Sequence, residues 1–319
     1  MLPLLFILIL LPALASGYDR DVTHPRRELH PLLPYVFFDA GSASIPDRYR
    51  IFSGYEQTGS FSDTTIAGGT LEKYHHVLNI IAFRLRLHPH ARVSITGWCS
   101  DPNEHNGENR LLAEQRARTV YRYLVDVWRI DTTRITLLPG REYPAPRSRR
   151  SPLEITEGRR VHIVSDDFEI IRPVVAYVPD CGTESDTLAV PCTEEWCLRL
   201  VCPLIEFPFD SPETGSLNKR ILKEFVYGEI GPGSRVTVIG HTDIIGLEDR
   251  NLRLSTMRAR GVVEAILGSV GTAHHAVIDM NGVGVGESSP LYTNDLPEGR
   301  FYNRTVVIRV ERTPCRKGP

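Results

Sequence analysis

Residues 240–260 read GHTDIIGLEDRNLRLSTMRAR, and the rest of the chain is organised around them. Ahead of this stretch, Ser234–Gly240 (SRVTVIG) alternates apolar and polar residues around Val236 and Val238, the period of a half-buried strand. After it, Asn251–Leu267 has helical periodicity, which predicts Leu254, Met257, Gly261 and Ala265 on the buried stripe. Asn251, Ser255, Arg258 and Val262 form a neighbouring stripe at the edge of that face. Asp243 leaves the strand end, where it can meet Arg258 from above. A carboxylate, an amide and a guanidinium are thereby spaced around one strand-to-helix junction.

The arrangement occurs twice. Gly97–Arg118 (GWCSDPNEHNGENRLLAEQRAR) follows another alternating strand, Arg92–Gly97 (RVSITG). Asp101, Asn109 and Arg116 keep the offsets of Asp243, Asn251 and Arg258, and Leu112, Ala117 and Val120 answer Leu254, Ala259 and Val262. One extra residue separates glycine from aspartate in the first copy, so the two loops differ. Taken singly, such an Asp or Asn is usually a helix cap and such an Arg a surface ion-pair partner. The shared spacing of all three is what points to a site.

The residues GHTD (Gly240–Asp243), Gly246, Asn251, the L-S-x-x-R-A run Leu254–Ala259, G-x-G-E-S-x-P (Gly284–Pro290) and N-R-x-V (Asn303–Val306) together resemble one family. This is the peptidoglycan-binding C-terminal domain of outer-membrane protein A. The resemblance covers Leu204–Arg312 well and Tyr35–Ser165 more loosely. In the loose copy GWCSD replaces GHTD, no G-x-G-E-S segment is evident, and Gly158–Val161 (GRRV) lacks the asparagine. The resemblance implies that Asp243 and Arg258 hold the free amino-acid end of diaminopimelate in the cell-wall stem peptide. Thr242 and Asn251 complete that set, and Asp101, Asn109 and Arg116 are its counterparts in the first copy. The implied fold is α+β: two tandem βαβαβ–β domains, each with helices on one face of a mixed sheet.

The chemistry suits those residue types. The tip of diaminopimelate is a zwitterion, so it needs opposite charges a few ångströms apart. A carboxylate accepts from ammonium, and a guanidinium fork binds carboxylate through two parallel N–H bonds. Junction amides at a helix N-terminus add positive potential. Each charge-assisted bond is modest, about 1.5–3 kcal/mol, so a single domain should bind weakly. Two linked domains would gain avidity.

Domain boundaries follow from composition and pattern. Met1–Ser16 is apolar and ends in the small-x-small pattern Ala13-Leu14-Ala15, which predicts a signal peptide and export to the periplasm or the periplasmic face of the outer membrane. Tyr18 stands where a lipoprotein box would need cysteine, so no lipid anchor is expected. Residues 17–165 form the first domain, 166–203 a cysteine-containing β-rich linker, and 204–319 the second domain. In the linker, Phe168–Val178 and Glu195–Phe207 read as strands that either form a small connecting sheet or extend an edge of one domain. Pro203–Phe209 is expected to open the second domain as its first strand, and Ser53–Thr70 reads as an exposed inserted loop.

A net charge of −2 without a dense basic block argues against nucleic acid, and no transmembrane segment is expected after signal removal. Six cysteines in an exported chain favour disulfides. Cys197 and Cys202 lie too far apart along an extended strand to bridge each other, so they should pair elsewhere, with Cys181 and Cys192 as candidates. Zinc is the competing reading of that cluster, but it lacks a C-x₂-C knuckle, so neither metal nor cofactor is expected. Neither G-x-S-x-G nor H-E-x-x-H occurs, which argues against a hydrolase. The remaining alternative to wall binding is a scaffold that assembles with another envelope protein.

Overall fold

A computed structural model describes residues 26–100, 108–142, 151–178, 197–207, 211–270 and 279–312. Residues 1–16, expected to be a signal peptide, lie outside the described residues, as do Asp101, residues 143–150, Cys181, Cys192 and Cys315. The strands are β1 (Arg26–His30), β2 (Tyr35–Phe37), β3 (Val93–Cys99), β4 (Ile135–Leu137), β5 (Arg141–Glu142), β6 (Arg160–Val164), β7 (Val174–Val178), β8 (Cys197–Leu204), β9 (Ser234–His241), β10 (Asp279–Gly286) and β11 (Val306–Arg312). The helices are α1 (Thr70–Tyr74), α2 (Val77–Leu87), α3 (Asn109–Arg122), α4 (Pro152–Gly158), α5 (Phe168–Ile171), α6 (Ser216–Ile221), α7 (Glu248–Val270) and α8 (Pro297–Asn303).

Two mixed sheets result. The first runs β2-β6-β3-β4, with β5 pairing the far end of β3. The second runs β10-β9-β11-β8-β1-β7. The four-strand path β4-β3-β6-β2 matches β10-β9-β11-β8 in order and direction: a parallel pair, then two antiparallel pairs. The second-half strands bury their apolar set against α6 and α7, with Val236, Val238, Ala259, Val262, Ile266 and Ile308 at the centre. Alternation places Val236, Val238 and Ile308 on the sheet face that meets Ala259, Val262 and Ile266 of α7, and burying such a side chain fully is worth about 1.5–3 kcal/mol.

The linker resolves one open alternative. Pro173 ends the apolar run Phe168–Val178 as a continuous strand, so it divides into α5 and β7. β7 pairs antiparallel with β1, and β1 pairs parallel with β8, so these strands extend the edge of the second sheet. The second half's first strand is β8, which begins six residues before the expected Pro203. Ser53–Thr70 is also tighter than expected: Thr58 and Asp63 are buried, and Phe61 packs onto the core around Trp128.

The halves interlock. Tyr302 of α8 lies in the first half's core, donates its hydroxyl to Pro31 O at 3.0 Å, and accepts from Leu33 N at 3.3 Å. Glu298, on the same helix, stands 3.0 Å from Arg48 Nε. The short α4 and α8 precede the positionally equivalent segments Gly158–Val161 and Asn303–Val306, and they pack against each other.

The cysteine expectation needs correction. Cys202 is a fully buried free thiol within the second core, and burial pushes it well above the usual thiol range. Cys99 is likewise a buried thiol outside any disulfide. In each case strand alternation turns the side chain into an apolar layer, so the bridge expected for Cys202 does not form.

Candidate ligand site at the strand-to-helix junction

The site is built by β9 running under α7. The approach is so close that a methyl at Gly240 would overlap the Ser255 carbonyl, and one at Gly97 would overlap that of Ala113. Gly284 of the neighbouring strand β10 backs onto Thr256 of α7 just as tightly. The buried stripe of α7 differs from the expected one. Asn251, Ser255, Arg258 and Val262 are buried, whereas Met257 is 47% exposed. These polar residues turn inward because local partners satisfy them: Ser255 Oγ donates to Leu252 O at 2.9 Å and accepts from Gly286 N at 2.9 Å.

Asn251 organises the loop. Its amide nitrogen donates to Asp243 O at 3.2 Å, Ile245 O at 3.3 Å and Glu287 Oε2 at 2.5 Å. Thr242 continues the strand pairing by donating its N–H to Gly286 O at 2.9 Å. Its hydroxyl is buried and meets no partner among the described residues. His241 is buried with Nδ1 3.0 Å from Ser289 O, an ordinary strand-end contact.

Asp243 is 3% exposed. Its Oδ1 accepts from Ile245 N at 2.9 Å, and its Oδ2 accepts from Arg304 Nη1. Burial pushes its carboxyl above the usual range, and Arg304 together with the Ile245 N–H opposes that rise. Arg304 also donates through Nη1 and Nη2 to the two oxygens of Glu157, each at 3.1 Å, and its guanidinium lies 3.9 Å from the Phe301 ring centroid. Glu157 belongs to α4 of the first half, so the site crosses between the halves.

The expected encounter of Asp243 with Arg258 therefore takes a different form. Arg304 is the guanidinium that reaches Asp243. Arg258 is 2% exposed, donates Nε to Ser211 O at 3.1 Å, and stands 5.2 Å from the Phe207 ring centroid. In the first half, Arg116 donates Nε to Ser42 O at 2.9 Å and stands 5.5 Å from the Phe38 centroid, so the two arginines share one environment. Arg116 is fully buried and also donates to Trp98 O and Asp39 O, each at 3.1 Å. Asn109 is buried at the start of α3. Periodicity around one junction could not reveal Arg304 or Glu157, since Arg304 lies sixty-one positions beyond Asp243. The N-R-x-V motif was the available signal.

No protein-family model matches the chain. Among curated proteins, it is 33% identical over 108 residues to outer membrane porin F of Pseudomonas aeruginosa, covering 34% of this chain and 30% of the relative. It is 38% identical over 79 residues to the peptidoglycan-binding protein ArfA of Mycobacterium tuberculosis, covering 25% and 23%. It is 35% identical over 88 residues to the probable lipoprotein YiaD of Escherichia coli, covering 28% and 36%. The chain thus spans well under half the length of these relatives. Among solved structures, the peptidoglycan-associated lipoprotein of Burkholderia pseudomallei is 25% identical, with 33% of this chain and 87% of that chain covered and a TM-score of 0.29. With the GHTD, L-S-x-x-R-A and N-R-x-V residues in place, the similarity to these relatives supports an OmpA-like domain in this chain.

Proposed function

We propose that the chain is an exported cell-envelope protein that binds peptidoglycan without altering it, through the diaminopimelate end of the stem peptide at Asp243. The observation that carries this reading is that a buried strand-end carboxylate already holds a cationic N–H donor, that of Arg304, next to a Thr242 hydroxyl that meets no partner among the described residues. A ligand ammonium can take the place of that guanidinium, while Arg258 supplies a fork for the ligand carboxylate. Asn251 holds the loop in shape. The similarity to ArfA, a peptidoglycan-binding protein, supports the substrate class. No helix among the described residues is long and apolar enough to cross a membrane.

The shared strand order and the matching Arg116 and Arg258 environments support two copies of one domain, from Tyr35 to Ser165 and from Cys197 to Arg312, so the second copy takes in the strand first assigned to the linker. The second copy is the binding one. In the first, GWCSD replaces GHTD and Gly158–Val161 lacks the asparagine of N-R-x-V, so Asn109 and Arg116 are assigned a structural role.

Co-sedimentation with purified cell wall tests the reading. Asp243→Asn or Arg258→Ala should abolish most binding, and Asp101→Ala should have a smaller effect. Undiminished binding by all three variants rejects the site, and turnover of labelled muropeptides would reject the non-catalytic assignment.

A further inference from the structure

Four charged side chains converge where α4 of the first half meets α8 of the second: Glu157, Arg300, Arg304 and Asp243. They are not equally fixed. Arg300 is fully buried and donates to Glu157 Oε1 at 2.9 Å, Asn294 O at 2.6 Å, Leu153 O at 3.0 Å and Thr156 Oγ1 at 2.6 Å. Glu157 is therefore held in place by an arginine that cannot move without leaving several acceptors bare. Arg304 is the looser partner, with its side chain 24% exposed. It shares its two nitrogens between the carboxylates of two halves of the chain.

We infer that Glu157 is a positioning residue of the second half's ligand site, and that it retains Arg304 when a ligand ammonium replaces the guanidinium at Asp243. This inference rests on the wall-binding reading. A cation arriving at Asp243 must displace Arg304 Nη1. Without a second acid, that exchange would leave a guanidinium in a largely buried setting with no counter-charge, which is costly. Glu157 removes the obstacle, because both of its oxygens already accept from Arg304 at 3.1 Å. The first half thus tunes the second half's affinity through one carboxylate, without itself touching the ligand.

The test is calorimetric titration of the full chain with a diaminopimelate-containing tripeptide. Glu157→Gln should weaken binding by about tenfold or more, the scale of a lost charge-assisted pair. Glu157→Asp, which keeps the charge, should recover part of that loss. Arg304→Gln removes the competing cation and should bind at least as tightly as the parent chain. In that background, adding Glu157→Gln should change nothing, whereas a residue that merely docks the halves would still weaken binding. A persistent Glu157 effect in the Arg304→Gln background overturns the inference, as does weaker binding by Arg304→Gln alone. The Arg304→Gln measurement stands even if Glu157→Gln fails to fold. Asp243→Asn separates the two levels. Binding unchanged by Asp243→Asn sinks both readings, while binding lost there but unaltered by Glu157→Gln sinks only this one.

Discussion

Ser255 presses its backbone carbonyl against Gly240, leaving no room there for a Cβ atom. The obstacle is helix backbone, so no rotamer change can relieve it. Gly240→Ala should separate α7 from β9 and destabilise the chain by about 3 kcal/mol, read from the urea midpoint. Gly268→Ala is the matched control. It lies in the same helix with nothing within 4 Å of the added methyl, so it should stabilise the chain by about 0.5–1 kcal/mol through reduced backbone entropy. Equal effects from the two would mean that the close approach does not position the junction.

A buried ion pair should dominate the stability of the inserted loop. Arg84 is 2% exposed, donates Nε to Asp63 Oδ2 at 2.8 Å, and reaches Ile170 O at 3.2 Å and Arg172 O at 2.5 Å. It therefore ties residues 55–65 to the segment leading into β7. Arg84→Met leaves Asp63 without that partner and should cost about 3–5 kcal/mol. Adding Asp63→Leu should restore part of the loss, because two uncharged side chains leave no orphaned charge. Denaturation of the three variants checks this, and strict additivity would refute the coupling.

The strand-to-helix junction was legible because its determinants are local. Alternation around Val236 and Val238 and the spacing of Asn251, Ser255 and Arg258 place the elements, and the same reading located β3 and α3 around Asn109 and Arg116. The inward stripe of α7 was misplaced by one position because hydropathy favours Met257. The structure instead buries Asn251, Ser255 and Arg258 against neighbouring backbone acceptors. Long-range choices were not legible. Nothing in residues 26–30 announces pairing with Val174–Val178 and with β8, since a five-residue strand carries no information about its neighbours. Arg304 and Glu157 meet only because α8 crosses into the first half. That docking depends on Tyr302, Glu298 and Arg300 finding partners far away in sequence.

Arg116 should prove structural. Its three nitrogens serve Ser42 O, Trp98 O and Asp39 O at once, which a lysine ammonium cannot reproduce in one plane. Arg116→Lys should lower stability by about 2–3 kcal/mol, the scale of buried carbonyls left unpaired, while wall co-sedimentation of the folded fraction is unchanged. Loss of wall binding at unaltered stability would instead make the first copy a ligand site.

Acid should destabilise the chain through His30. This ring is buried, its Nδ1 lies 3.0 Å from Thr70 Oγ1, and burial followed by the positive charge of Lys73 lowers it from 6.5 to about 3. His162 is lowered to about 4 by burial and by Arg160. Because both folded values lie below the unfolded value, the unfolded chain takes up protons first as pH falls. The stability these rings confer is full above pH 6.5 and drains away toward the folded values. For His30 the loss between pH 7 and pH 4.5 is about 2–3 kcal/mol. Asp243 acts in the opposite sense, since its raised carboxyl makes protonation easier in the folded chain than in the unfolded one. Urea midpoints measured from pH 7 to pH 4.5 should therefore fall for the parent chain and fall less steeply for His30→Gln, whose amide can still meet the Thr70 hydroxyl but does not titrate. An identical slope for the two chains would show that His30 is protonated as readily when folded as when unfolded.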